Sequence, residues 1–149
     1  MVRFRCLRTP LEQGGGPPVL LSRQRRFPRA RDSVRAARAF ALETLAEWGC
    51  VDRCDDVRLC VSELATNALL HGVPPGREFS LTLVADGPLI RVEVRDSGDG
   101  IPLTGRGEVE DCGGRGLRLV TALADDFGFT PCPPGKTVWT VFKVREVTR

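Results

Sequence analysis

The amino-acid sequence predicts an α/β two-layer sandwich, a mixed, mostly antiparallel sheet with its helices on one face. Three observations predict it. Strand-like and helix-like periodicities follow one another in the order strand, two helices, two strands, loop, helix, two strands. Two of the strand-like runs, Phe79 to Leu83 and Ile90 to Val94, are separated by a tight turn at Asp86-Gly87-Pro88. A glycine-dense stretch, residues 97–116 with seven glycines, then runs directly into an amphipathic helical pattern.

Taken in order, residues 1–17 close on Gly14-Gly15-Gly16-Pro17 and read as a flexible leader, with residues 18–149 forming one domain. Val19-Leu20-Leu21 opens a strand that continues toward Phe27. From Asp32 to Trp48, Val34, Ala37, Phe40, Ala41, Leu45 and Trp48 recur at helical spacing, and Gly49 stops the helix. Asp52, Asp55 and Asp56 crowd the start of a second helix, where carboxylates suit the positive end of the helix dipole. Val57, Val61, Leu64, Ala68 and Leu69 form its apolar stripe, and Gly72 followed by Pro74-Pro75 ends it. Phe79, Leu81 and Leu83 alternate with Ser80 and Thr82, and Ile90, Val92 and Val94 with Arg91, Glu93 and Arg95, as half-buried strands do. Leu117, Leu119, Val120 and Leu123 begin a third helix immediately after Gly116. Phe127 and Phe129 suggest a strand, and Val138, Trp139, Val141, Phe142 and Val144 a last one.

Composition narrows the function classes. With 149 residues, 42% hydrophobic and 28% charged, the chain reads as a soluble globular domain able to bury a core. No run approaches the roughly 20 apolar residues of a membrane span, and no secretory signal is recognised, so a cytoplasmic location without membrane contact is expected. Residues 1–50 carry ten Arg against four acidic residues, a balance of +6 that the remainder's −3 reduces to +3 overall. That basic stretch could attract an acidic partner or nucleic acid. It lacks interleaved aromatic residues for base stacking, so direct nucleic-acid binding is not expected. Six cysteines without a C-x-x-C pair, beside a single histidine, read as free thiols rather than a zinc site.

Three stretches could carry chemistry. Glu63, Asn67 and His71 stand at four-residue intervals on the second helix, in one slanting row beside core positions. An amide oxygen is a hard neutral ligand suited to Mg2+ alongside phosphates, and a carboxylate one turn away could take a proton from an attacking hydroxyl. The same row could also be a solvated stripe. Asp96-Ser97-Gly98-Asp99-Gly100 follows an alternating strand, where an aspartate could accept from an exocyclic amine and glycine permits close ligand approach. Gly113-Gly114-Arg115-Gly116-Leu117 opens a helix, where backbone N–H groups favour phosphate and Arg115 could add a charged fork. The spacing fits neither a Walker A loop nor a dinucleotide fingerprint.

In order and context these stretches resemble the asparagine box and the two glycine boxes of the GHKL ATPase superfamily. Within it, Ser62-Glu63-Leu64-Ala65-Thr66-Asn67-Ala68-Leu69-Leu70-His71-Gly72 is similar to the helix of the bacterial anti-sigma-factor serine kinases, as is Gly135-Lys136-Thr137-Val138-Trp139. The resemblance covers roughly residues 28–145 and implies the Bergerat fold with ATP and Mg2+ as cofactors. It implies that Asn67 coordinates Mg2+ on the ATP phosphates, that Glu63 activates the nucleophilic hydroxyl, and that His71 lies on the nucleotide-binding helix. Asp96 would bind the adenine amino group in a pocket shaped by Gly98 and Gly100. Gly113, Gly114, Arg115, Gly116 and Leu117 would close over the phosphates, and Thr137 would support the adenine end.

The activity so implied is a regulatory serine/threonine protein kinase whose partners are a sigma factor and its anti-anti-sigma antagonist, working as a possible homodimer. A non-catalytic module, in which bound ATP only sets partner affinity, would need Asn67 and Asp96 but not Glu63. A sensor histidine kinase fragment is disfavoured because the chain offers no spare phosphoacceptor histidine.

Overall fold

The structure is a computed structural model and describes residues 20–73, 76–96, 115–131 and 135–145. The leader 1–17, the glycines at 98, 100, 113 and 114, and Cys112 lie outside the described residues. Strand β1 (Leu20–Pro28) is followed by helices α1 (Asp32–Glu47) and α2 (Cys54–Asn67). The hairpin β2 (Glu78–Asp86) and β3 (Leu89–Asp96) comes next, then α3 (Arg115–Leu123), β4 (Asp126–Pro131) and β5 (Lys136–Lys143). The strands form one sheet in the order β1-β2-β3-β5-β4, and every described pairing is antiparallel. The expected mixed sheet is thus antiparallel throughout its described part, since each neighbour is reached by a hairpin or by a return over the helical layer.

Register sorts the side chains onto two faces. Phe27, Phe79 and Asp96 stand in one row across β1, β2 and β3. Behind them Leu81, Leu83, Val92, Val94, Val138 and Phe142 bury the helix-facing side in a single core with Phe40, Leu45, Val61 and Leu64. Each such side chain contributes about 1.5–3 kcal/mol by leaving water. The opposite face carries a second, small apolar cluster of Trp139, Val141 and Leu89. There the Arg91 guanidinium lies 5.1 Å from the Trp139 ring centroid, and a Cβ at Gly128 would come within 2.6 Å of that indole, so only glycine lets the ring lie across β4.

Local chemistry explains the helix ends. Ala37, Phe40, Ala41 and Leu45 turn α1 onto the sheet, and Gly49, at φ 73°, ends it in the left-handed conformation that glycine adopts without steric cost. Asp55 and Asp56 sit in the first turn of α2. Just before it, Arg53 ties three elements together. Its guanidinium donates to Asp56 (3.0 Å), Asp125 (3.0 Å), and the carbonyls of Leu123 (2.9 Å) and Lys143 (2.9 Å).

The second helix departs from expectation at its end. Its α-helical part stops at Asn67, and Ala68–Gly72 form a π-helical turn, closed by the Val73 N–H on the Ala68 carbonyl at 2.9 Å. A turn with one residue more than the α-helix holds is uncommon and occurs mainly as a local insertion near functional positions.

Candidate functional site

Two ends of the fold converge on the helix-facing side of the sheet. α2 and its π turn pack against β3, and α2 also packs against α3, which begins at Arg115. The second helix is therefore the element that both β3 and α3 touch. Arg115, Gly116 and Leu117 form the first turn of α3, where orphan backbone N–H groups can meet an anion.

Asn67 is the last residue of α2 and is 7% exposed. Its side-chain oxygen Oδ1 is buried and has no hydrogen-bond partner among the described residues. Leaving such an acceptor unmet costs about 1–3 kcal/mol. Glu63 stands one turn earlier, half-buried, on the stripe that four-residue spacing creates. His71 lies within the π turn and is exposed, as is Leu70. The wider turn changes the angular step after Asn67, so the row of three expected from uniform helical spacing keeps its first two members together and sets His71 at the solvent end.

Asp96 ends β3 and is 4% exposed. Its Oδ2 accepts from Lys136 Nζ at 2.9 Å and its Oδ1 from the Lys136 backbone N–H at 3.2 Å. Gly135 makes that approach possible. Its φ is +103°, and a Cβ there would sit 2.3 Å from the Asp96 carbonyl oxygen and 2.8 Å from Oδ1. The side chain held against Asp96 is thus that of Lys136. Thr137, the next residue, is half-buried and pairs in register with Arg95 and Thr130, in the row that faces away from the helices.

Gly135 and Lys136, which sequence places in the Gly135–Trp139 stretch without a role of their own, are the residues the structure sets against Asp96. The signal was present: a glycine immediately before an alternating strand, followed by a lysine at a position that alternation turns inward.

The donors fit a metal-bound nucleotide. A buried amide oxygen with no partner among the described residues suits a hard cation that also takes phosphate oxygens, and nothing in this set is a soft ligand. Among the described residues no group of three or more His, Cys, Asp or Glu could hold a metal by itself. The three described cysteines are not soft alternatives. Cys50 and Cys60 are free and buried; burial first, then neighbouring aspartates, push their thiols up to about 11 and about 12. Cys54 is free and half-buried.

The basic segment divides between structural contacts and an open groove. Arg23 pairs with Glu47 at 2.6 Å, Arg38 donates to Ser62 at 3.2 Å, and Arg25 lies over Phe27. Arg26 and Arg29 line a groove of about 790 Å³ with Arg77, Arg95 and Glu78. Arg26, Ser80 and Arg95 share a row on the sheet face opposite Lys136, and Asp96 also lines the groove, at the end of β3.

An antiparallel sheet covered on one side by helices, with a buried asparagine on one of them and a buried aspartate at a strand end, defines an ATPase domain of the Bergerat type. A family model described as a histidine kinase-like ATPase domain matches residues 27–142, and the chain belongs to that family. The fold is also similar to the solved RsbU and RsbW domains of Rv1364c from Mycobacterium tuberculosis, with a TM-score of 0.58 and 22% identity. The match covers 89% of this chain and 34% of that one, so the chain spans about a third of the length of that neighbour. No curated protein matches it. Among the described residues no helix is long and apolar enough to cross a membrane.

Proposed function

We propose that this chain binds Mg-ATP between Asn67 and Asp96 and acts in the cytoplasm as a regulatory serine/threonine kinase of the anti-sigma-factor type. It would phosphorylate or sequester an anti-anti-sigma antagonist and bind a sigma factor. The observation that carries the reading is the buried, unpartnered Oδ1 of Asn67 at the junction of α-helix and π turn, on the same side of the sheet as buried Asp96.

The residues take the following roles. Asn67 presents its oxygen to Mg2+, and Asp96 accepts from the adenine amine. Gly98, Gly100, Gly113, Gly114 and Leu117 shape the loops around the nucleotide, with His71 at the rim; Thr137, in the row that faces away from the helices, takes no part in that pocket. Backbone N–H groups at Arg115 and Gly116 and the Arg115 guanidinium meet the phosphates. Bound Mg2+ would neutralise charge on the transferring phosphoryl group. Glu63 sits one turn from Asn67, placed to accept the proton of an incoming serine or threonine hydroxyl.

Two measurements test this. Isothermal titration with Mg-ATP is expected to give micromolar binding, about −8 kcal/mol; no heat from the folded protein would remove the reading. Glu63→Ala is expected to keep that binding and to lose transfer of labelled phosphate to the antagonist protein. Equal transfer by the variant would take the catalytic role from Glu63. Tight complex formation without phosphoserine or phosphothreonine in the wild type would instead assign a non-catalytic, nucleotide-gated binder.

A further inference from the structure

Beside the carboxylate assigned to adenine lies a buried ammonium that the proposed function leaves unused. Lys136 is 5% exposed, and its Nζ stands 2.9 Å from Asp96 Oδ2. An ammonium carries three N–H donors and no acceptor. Among the described residues Asp96 takes one of them. A buried charged donor without an acceptor is costly, more so than a neutral one. The lysine is also held in place: its backbone N–H bonds Asp96 Oδ1, and Gly135 lies too close to Asp96 for any side chain to intervene. An acceptor and a charged donor therefore stand side by side, both fixed and both shielded from water.

We infer that Lys136 is a base-reading residue, donating from Nζ to the adenine ring nitrogen adjacent to the exocyclic amine that Asp96 accepts. The inference rests on the ATP reading above and adds the group that decides which base is admitted. Adenine offers a donor next to an acceptor along one edge, the complement of a carboxylate next to an ammonium. Guanine in the same pose offers a carbonyl oxygen and a ring N–H at those two places. Acceptor then meets acceptor and donor meets donor, and a site built on buried polar groups rejects a ligand that leaves them unpaired.

The test compares Mg-ATP, Mg-1-deaza-ATP and Mg-GTP by isothermal titration on the full chain. The deaza analogue replaces the ring nitrogen with C–H and keeps the amine. Wild-type protein is expected to bind it about 10- to 100-fold more weakly than ATP, the worth of a charge-assisted hydrogen bond, and to bind GTP more weakly still. Lys136→Met, with folding checked by circular dichroism, is expected to bind ATP and the deaza analogue equally; should it not fold, Lys136→Gln takes its place. Equal wild-type affinity for the two, or the wild-type ratio persisting in the folded variant, overturns the inference while leaving ATP binding intact. Absence of any ATP heat from folded wild type is a different result, which removes the nucleotide reading and this inference with it.

Discussion

The two buried polar residues of the candidate site are equally hidden and oppositely served. Asn67, on the helix, has an oxygen that no described residue meets. Asp96, on the strand, is bonded twice by Lys136, through its backbone and its ammonium. The helix end resembles an open socket, whose cost about 1–3 kcal/mol of partnering leaves unrecovered. The strand end is an ion pair whose carboxylate is held in place, with Asp96 taking one of the three Lys136 N–H donors. A polar group therefore announces an external partner by what it lacks, and burial alone does not distinguish it from a structural pair.

Mutations separate the two. The largest effect is expected from Asp96→Ala, which strands the Lys136 charge in the interior and should lower unfolding free energy by about 3–5 kcal/mol. Denaturant titration measures it, and a loss under about 1 kcal/mol would mean the pair is not desolvated. For the same reason Asp96→Asn mixes lost binding with lost stability, and the double change Asp96→Asn with Lys136→Met is its control. Next comes Gly135→Ala, which forces a Cβ toward the Asp96 carbonyl at a positive φ. A loss of about 1–3 kcal/mol is expected from that strain, read as a fall in melting temperature; an unchanged transition would show that the β3–β5 contact has slack. The smallest effect is expected at the socket. Asn67→Leu should leave ligand-free stability unchanged or raise it by about 1 kcal/mol, since it removes an unmet acceptor, yet should abolish the Mg-ATP heat. A large destabilisation would mean that Asn67 is structural and would erase the contrast.

Much of this was legible in the residues. The alternation of Phe79 to Leu83 and Ile90 to Val94 is that of two strands each with one face on the core, and both form. The aspartates before Val57 and the glycine after Trp48 mark helix ends because the helix dipole and the left-handed stop are both local effects. The spacing of Glu63 and Asn67 put them on one stripe because both lie before the helix changes pitch. What was not legible depends on tertiary contact. The π turn is invisible to a reading that assumes a constant angular step, so His71 was placed in line with Asn67. Lys136 lies in the Gly135–Trp139 stretch that carries the resemblance, but sequence gives it no role, since a lysine is ordinarily a surface residue and only the pairing of β3 with β5 brings its ammonium to Asp96. The basic run looked like one feature, whereas strand alternation splits it between the core-facing side and the open groove.

The strand order leaves β1 and β4 as the two margins of the described sheet, and margins are where sheets from different molecules fuse. β1 carries Arg23, Arg25 and Arg26 and finishes at Pro28, while β4 begins at Asp126 and finishes at Pro131. Like charge repels a second copy of β1 laid alongside, and each proline withholds an N–H from any would-be extension of the ladder. The arginines that invite comparison with a nucleic-acid binder thus have a plainer consequence along β1, where their like charge opposes pairing with a second copy of that strand.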